Sequence, residues 1–356
     1  MPDCDVLVIG AGPAGSSAAR AAAAAGARVV IADRKATVGL PVQCAEHLPY
    51  RLAHDFSLLK DSGDVAQTVS GMQTHLPDGT SVMTLAPGVI CHRNRFDRKL
   101  LGLAEEAGAR FIGATAAVSL AHGVVTLRNG DGEHEMSPAV VIGCDGPRSA
   151  VRRWLGLEAN GCVRARQELL PLASGLDTTH IFFRRYIPGG YGWVFPKGGL
   201  ANVGAGVDPR FAVSSVRALA ELKRELLAAG VISDMTGRTV TGGLIPVGGQ
   251  SRVRAGKVIL AGDAAGHAHP ITGAGVPSAV FAGELAGAAA ARAADGDAAA
   301  LAEYEEECEL FIGRSWRQAV RGRREMENCW SGDAAALSQA VRKSWFAFEE
   351  QHETVG

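Results

Sequence analysis

Asp5-Val-Leu-Val-Ile9 runs directly into Gly10-Ala11-Gly12-Pro13-Ala14-Gly15. Five consecutive residues with no polar position between them read as a strand buried on both faces, the pattern of a parallel sheet. The glycines then recur where a dinucleotide fingerprint needs them. Gly10 permits a tight turn, Gly12 lets a pyrophosphate approach the backbone, and Gly15 lets the following helix, Ser16 to Ala25, pack closely on the strand. Pro13 and Ala14 open that helix, whose free N–H groups and positive dipole end bind anions without a basic side chain. Gly26 closes it and Arg28 to Ala32 forms the next strand. Asp33, followed by Arg34, stands 18 residues after Gly15, where a carboxylate accepts the ribose hydroxyls. The complete βαβ frame predicts a dinucleotide site, but NAD and FAD share the device.

Later segments decide between them. Lys257-Val-Ile-Leu-Ala261 is a second buried-strand run; it leads through Gly262-Asp263-Ala-Ala-Gly266 and His267-Ala-His269-Pro270-Ile-Thr-Gly273-Ala-Gly275-Val276 into a long Ala-rich helix. This resembles the second FAD signature of glutathione-reductase-like flavoproteins with hydroxylase-type topology. The resemblance implies that Asp263 binds the ribitol chain. It also implies that the helix opening at Gly275 and Val276 aims N–H groups at the flavin N1/C2=O edge, where reduction places negative charge. Val140-Val-Ile-Gly-Cys-Asp145-Gly146-Pro-Arg-Ser149-Ala-Val-Arg152 resembles the same group's Asp-Gly turn. Arg93-Asn-Arg-Phe96-Asp97 resembles its helix start, which puts Arg93 near the diphosphate or adenosine. Read without the resemblance, Asp97 and Ser149 are ordinary helix caps. The sequence holds no second complete glycine fingerprint. FAD is therefore expected as the resident cofactor, with NAD(P)H or another electron donor binding transiently.

Gly190-Tyr-Gly-Trp-Val-Phe-Pro-Lys-Gly-Gly-Leu200 predicts a hairpin whose first strand sets Tyr191, Trp193 and Phe195 on one face. The Tyr-x-Trp-x-Phe-Pro pattern resembles that of the geranylgeranyl reductase family, and with the Gly-Asp segment the similarity runs from the start to about residue 290. The family implies reduction of polyprenyl C=C bonds by FAD hydroquinone, with these rings against the substrate; His267 and His269, which flank the flavin turn and titrate near neutral pH, are candidates to contact the substrate or tune the isoalloxazine. An apolar aromatic face suits an isoprenoid; the alternative is core packing under the sheet. The family also carries Pro-x-x-Cys-Gly-Gly beside the flavin. Here Pro41-Val-Gln-Cys44 is followed by Ala45-Glu46-His47. Cys44 keeps the flavin-side position, and Cys44, Glu46 and His47 are the candidates for holding the proton that C=C reduction needs. The competing reading makes Cys44 a small buried residue, and has His267 and His269 cap backbone groups of their turn.

Composition limits the remaining classes. The chain has 356 residues, 36 Lys+Arg against 37 Asp+Glu, a formal net charge of −1 and 47% hydrophobic residues. No field favours nucleic acid, and the chain is globular. Seven cysteines without a close pair suit a reduced, cytoplasmic setting and provide no clustered thiolates for a metal. No apolar run reaches the ~20 residues of a bilayer span. The expected fold class is α/β. Residues 1–75, 90–158 and 255–300 form an FAD-binding Rossmann-like domain, 76–89 and 159–254 an inserted β-sheet substrate domain, and 301–356 a helical segment. The aromatic and basic residues of that segment either pack on the protein or dock on a membrane surface or a partner protein. The expected substrate is small and apolar or aromatic. Two rival functions are a flavin monooxygenase acting on an aromatic substrate and a flavin-bearing interaction or maturation partner. Halogenation is weaker, since the Trp-x-Trp-x-Ile-Pro pattern is missing.

Overall fold

The computed structural model describes residues 3–50, 59, 63–158, 161–250, 252–346 and 348. The chain forms two compact units: Met1–Leu40, Asn94–Gly161 and Pro246–Arg317 make the first, and Pro41–Arg93, Cys162–Ile245 and Gln318–Gly356 the second.

In the first unit a six-stranded sheet runs in the order Arg254–Ala255, Val258–Leu260, Pro138–Gly143, Cys4–Ile9, Val29–Ala32, Arg110–Ile112. Cys4–Ile9 pairs in parallel on both sides, with Val6 beside Val140 and Val29. It is almost wholly buried, as its unbroken apolar run requires. Pro13 starts the helix Pro13–Ala24, where a missing N–H costs nothing, and Gly26 at φ +89° lets the chain leave it. That helix packs against Val276–Ala294 through small residues on both sides. A Cβ at Gly283 would lie 2.3 Å from the Ala14 carbonyl oxygen, and one at Gly287 would lie 2.0 Å from that of Ala18. The Ala-rich composition of these segments is thus the condition for two helices to meet at backbone contact.

The second unit is built on a seven-stranded sheet in the order Val240–Pro246, Cys162–Pro171, Leu200–Val207, Gly192–Lys197, Thr178–Phe182, Gly71–His75, Ser81–Thr84. The helix Ser215–Ala228 covers one part of it with Ala218, Leu219, Leu222 and Leu226. Its first turn is capped by Ser214 Oγ, which accepts from the Arg217 N–H. A separate three-stranded sheet pairs Gly88–Cys91 with His47–Pro49 and Val65–Val69.

The division differs from the expected one: residues 90–93, with Arg93, fall in the second unit and residues 246–254 in the first. Residues 41–75 group with the second unit because Gly71–His75 pairs in parallel with Thr178–Phe182. Residues 301–317 belong to the first unit, where Tyr304 donates to the Leu260 carbonyl at 2.6 Å. The remainder of the tail packs on the second unit: Trp345 is 1% exposed, donates to Thr74 Oγ1 at 3.2 Å and meets Phe183 and Tyr191 edge-on. Trp330 is buried, and half-buried Trp316 meets the His269 ring edge-on. Arg323 is buried too and reaches the Gly189 carbonyl oxygen, Glu327 and Asp208. Leu310, Phe311 and Phe346 are the tail's exposed large apolar residues among those described. The last expected helical residues, 349–356, lie outside the described ones. Among the described residues no helix is long and apolar enough to cross a membrane.

The substitution Gly287→Val forces a branched side chain onto the Ala18 backbone. It is expected to lower stability by about 1–3 kcal/mol, the usual cost of overpacking, read as a lower urea midpoint, whereas Gly175→Ala, at an exposed position where a Cβ meets nothing within 4 Å, is expected to leave the midpoint within error.

Candidate active site

Three distant segments meet at the carboxyl edge of the first unit's sheet. The Cys144 N–H donates to the Ile9 carbonyl at 2.7 Å, the Ala261 N–H to that of Gly143 at 3.0 Å, and the Gly10 N–H to that of Ala32 at 2.8 Å. The glycine turn, the Asp145-Gly146 turn, the Gly262-Asp263 turn and Asp33 therefore emerge side by side. Gly10, at φ +101°, has no room for a side chain: a Cβ would sit 2.3 Å from the Cys144 carbonyl oxygen. A Cβ on Gly15 would sit 1.8 Å from the Gly10 oxygen. Gly12 is different. Its backbone is extended at φ −72° and a Cβ there would meet nothing within 4 Å. The space above it is open, as a pyrophosphate requires. Neither helix that starts here, at Pro13 or at Val276, has a side-chain cap or an acidic residue in its first turn, and their caps are Gly12 and Gly275. Bare N–H groups next to an unfilled approach over Gly12 fit an anionic dinucleotide.

The acidic and imidazole side chains around this edge mostly hold it together. Asp33 Oδ2 accepts from the Ala11 N–H at 2.7 Å and Oδ1 from that of Lys35 at 2.8 Å, so the expected ribose acceptor also fixes the glycine turn. Arg34 beside it is exposed. Asp145 accepts from Ser149 Oγ and the Ala150 N–H, both at 2.5 Å, which makes its carboxylate a helix cap, while Gly146 at φ +80° turns the chain. Arg152, which the pattern includes without explaining, is buried; it donates to the Ala264 and Glu158 carbonyls at 2.8 and 2.6 Å and so ties two of the turns together.

His267 and His269, expected against the substrate, serve the turn instead. His267 is 0% exposed and its Nδ1 accepts from the Gly262 N–H at 3.2 Å. Burial lowers its pKa to about 3, so it is neutral with the proton on Nε2. His269 Nδ1 accepts from the Ile271 and Thr272 N–H groups at 3.3 and 3.2 Å, and its pKa falls to about 4 for the same reason. Pro270 follows within that turn and Gly273, at φ +67°, closes it by donating to the His269 carbonyl at 2.9 Å. Gly275, Val276 and Asp263 are half-buried at the open end.

The second unit gathers the other candidates. The Cys44–Glu46 turn is pinned at both ends: Cys44 Sγ accepts from the Glu46 N–H at 3.2 Å, and the Cys44 carbonyl accepts from Gln167 Nε2 at 3.1 Å. Gln167 Oε1 in turn accepts from the Trp193 indole N–H at 2.8 Å. Trp193 lies over Gly204, where a Cβ would be 2.1 Å from the indole ring; the alternating glycines of Leu200–Val207 make the slot it fills. Tyr191 meets Trp193 edge-on, centroids 6.1 Å apart, and half-buried Phe195 meets His47 at 5.6 Å. The expected aromatic face exists, but Tyr191 is packed by Phe183 and Trp345 and Trp193 is buried.

Glu46 was expected to be a proton-handling group. It is 3% exposed and its carboxylate is consumed: Lys197 and Asn202 Nδ2 (3.0 Å) reach Oε2, and the Arg93 N–H donates to Oε1 at 3.1 Å. Arg93, expected at the nucleotide, is thus held through its backbone by this carboxylate. Gln167, Lys197 and Asn202 were not singled out from the sequence. Their only signal was alternation along strands beside the aromatic motif.

Residues 159–226 match the model of the geranylgeranyl reductase catalytic domain and residues 8–70 that of an NAD(P)-binding Rossmann-like domain. A digeranylgeranylglycerophospholipid reductase of Methanopyrus kandleri is 32% identical over 95% of this chain and 90% of its own length. One of Methanothrix thermoacetophila is 36% identical over 89% and 84%. A geranylgeranyl bacteriochlorophyll reductase-like structure from Thermoplasma acidophilum superposes with a TM-score of 0.83 at 24% identity, covering 96% of both chains. An aklavinone-11 hydroxylase solved with FAD superposes at 0.72 with 20% identity, covering 96% of this chain and 73% of its own, and shows the shared fold. The glycine turn, the Gly-Asp turn and the aromatic hairpin together with these matches establish that the chain belongs to the geranylgeranyl reductase family of flavin-dependent oxidoreductases.

Proposed function

We propose that this protein reduces the C=C bonds of an isoprenoid chain carried by a glycerophospholipid, with FAD seated at the carboxyl edge of the first unit's sheet. The observation that carries the reading is the row formed there by the Gly10–Gly15, Asp145-Gly146 and Gly262-Asp263 turns, in front of two uncapped helix starts. Relatives at 32–36% identity bear the name of that phospholipid reductase. Bound there, FAD supplies the hydride.

The chain's own residues do the rest. Backbone N–H groups at Gly12, Ala14, Gly275 and Val276 bind the anionic parts of the nucleotide, with Asp33, Arg34 and Asp263 completing the cradle. Half-buried Tyr191 and Phe195 offer apolar surface to the isoprenoid, with buried Trp193 edge-on to Tyr191. Trp193's one polar atom is satisfied by Gln167, so the buried ring leaves no stranded donor next to the apolar surface. The proton for the second carbon is assigned to Cys44 Sγ. His47 is not suited to it: burial lowers its pKa to about 4, so near neutrality it is an uncharged imidazole and a poor acid. Electrons arrive from a transient donor, NAD(P)H or another reductant, since the chain has a single complete glycine fingerprint. Cysteines that are all unpaired among the described residues agree with work in the cytoplasm.

Anaerobic reduction of the FAD-loaded protein followed by addition of digeranylgeranylglycerophospholipid is expected to add two mass units per double bond. A gain of sixteen after admission of oxygen would instead show a monooxygenase. Gly12→Ala is expected to leave the urea midpoint of the apoprotein unchanged, because its methyl meets no protein atom, while weakening FAD binding at least about tenfold, ~1.4 kcal/mol; equal FAD affinity would move the pyrophosphate elsewhere. His47→Gln is expected to retain turnover within a few-fold. With folded-state pKa values of about 4, 3 and 4 against 6.5 when unfolded, His47, His267 and His269 take up protons only on unfolding. Their contribution is whole above pH 6.5 and is lost as the pH falls toward 4, by up to about 1.4 kcal/mol per pH unit for each. Urea midpoints across that range read it directly.

A further inference from the structure

Glu46 stands where the family pattern has a glycine, and its φ is +70°. That left-handed backbone is natural for glycine and unfavourable for a residue with a Cβ. The turn keeps it because the side chain is tied on every side. Its two carboxylate oxygens take Lys197 Nζ, Asn202 Nδ2 and the Arg93 N–H, and its own carbonyl takes the Cys91 N–H at 2.9 Å. Asn202 Nδ2 also donates to the Ala45 carbonyl at 3.1 Å. Lys197 and Asn202 stand on the two strands of the aromatic hairpin close to its turn, with Phe195 opposite Asn202. The same turn holds Gln167 through the Cys44 carbonyl, and Gln167 holds the Trp193 indole. A proton donor must keep a lone pair or a proton facing the reacting atoms; this carboxylate spends its acceptor sites on three fixed donors inside the protein.

We propose that Glu46 is a positioning residue: its carboxylate, held by Lys197 and Asn202, locks the Cys44–Glu46 turn onto the aromatic hairpin so that the Cys44 thiol and the Trp193 ring keep a fixed relation. The inference rests on the reading above, in which Cys44 serves the reaction and the aromatic hairpin the substrate. A backbone geometry that glycines allow in the family is here enforced by a buried ion pair. Removing the side chain removes both the strain and the tether, so the turn gains freedom and the thiol, half-buried in the parent, becomes more reachable.

The test reads the thiol and needs no turnover. FAD-loaded protein is treated with iodoacetamide, and modification of the Cys44 peptide is followed by mass spectrometry, with half-buried Cys162 and Cys329 as internal references. In Glu46→Gly, which tolerates the left-handed backbone, Cys44 is expected to react about tenfold faster than in the parent, with the references unchanged; tenfold corresponds to ~1.4 kcal/mol. Lys197→Met, which leaves the turn's sequence intact, is expected to raise the rate in the same direction. Glu46→Gln keeps one acceptor oxygen, which serves Asn202 and Lys197 on one side or the Arg93 N–H on the other but not both, and is expected to restore part of the protection. With lipid substrate, kcat should follow Cys44 protection across the series. Cys44 reactivity within twofold of the parent in both Glu46→Gly and Lys197→Met would overturn the lock. Loss of kcat in Glu46→Gln with Cys44 still protected would also overturn it, by making the carboxylate itself catalytic. A parent protein that hydrogenates no lipid would refute the reaction assigned above, while the labelling ratios would still decide the lock.

Discussion

Parallel pairing on both sides of Cys4–Ile9 is the constraint on which the first unit depends. A parallel strand ends at the same edge as its neighbours, so residues 9, 143 and 260, separated by more than a hundred positions, deliver their following turns to one line. The pairing works only if the helix after Gly15 lies against the sheet and the helix Val276–Ala294 lies against that helix. Both contacts are at backbone distance, through Gly15 on Gly10 and through Gly283 and Gly287 on Ala14 and Ala18. Small residues here are a packing requirement, and any side chain added would push the nucleotide turn away from its partners.

The polar groups along that edge show a division of labour. Side chains that look like ligand contacts in a sequence, Asp145, His267 and His269, hold backbone groups that would otherwise be buried without partners. What is left facing outward is main chain: N–H groups of two helix starts with glycine caps. An anion site made of backbone N–H groups is rigid and adds no charge of its own to the side chains of Asp33, Arg34 and Asp263 beside it, which suits a cofactor that brings its own phosphates. The neutral state of both histidines follows from the same burial and removes them from acid–base work near neutral pH.

The second unit uses the opposite device. Its critical turn is held by charged and amide side chains, Glu46, Lys197, Asn202 and Gln167, where the family pattern uses glycine. A residue at φ +70° costs about 1–2 kcal/mol, and the buried pair with Lys197 plus three hydrogen bonds outweighs it. Such an arrangement fixes geometry more firmly than it adds stability, because burying both charges has its own desolvation cost.

The βαβ frame, the Asp-Gly and Gly-Asp turns and the aromatic hairpin were legible from the chain alone, because each is a local rule: an apolar run, a glycine where a Cβ cannot fit, a period of two. The sequence by itself thus determined the α/β class, the nucleotide edge and the family. It did not determine which of two sheets residues 41–75 join, since parallel pairing of Gly71–His75 with Thr178–Phe182 is a contact across a hundred residues that no local pattern announces. Nor did it separate ligand-facing from scaffold-facing polar residues. Asp145, Glu46, His267 and the tail tryptophans carry the same chemistry in either role, and only tertiary structure decides whether their polar atoms meet a fixed partner inside the protein or remain turned to the site.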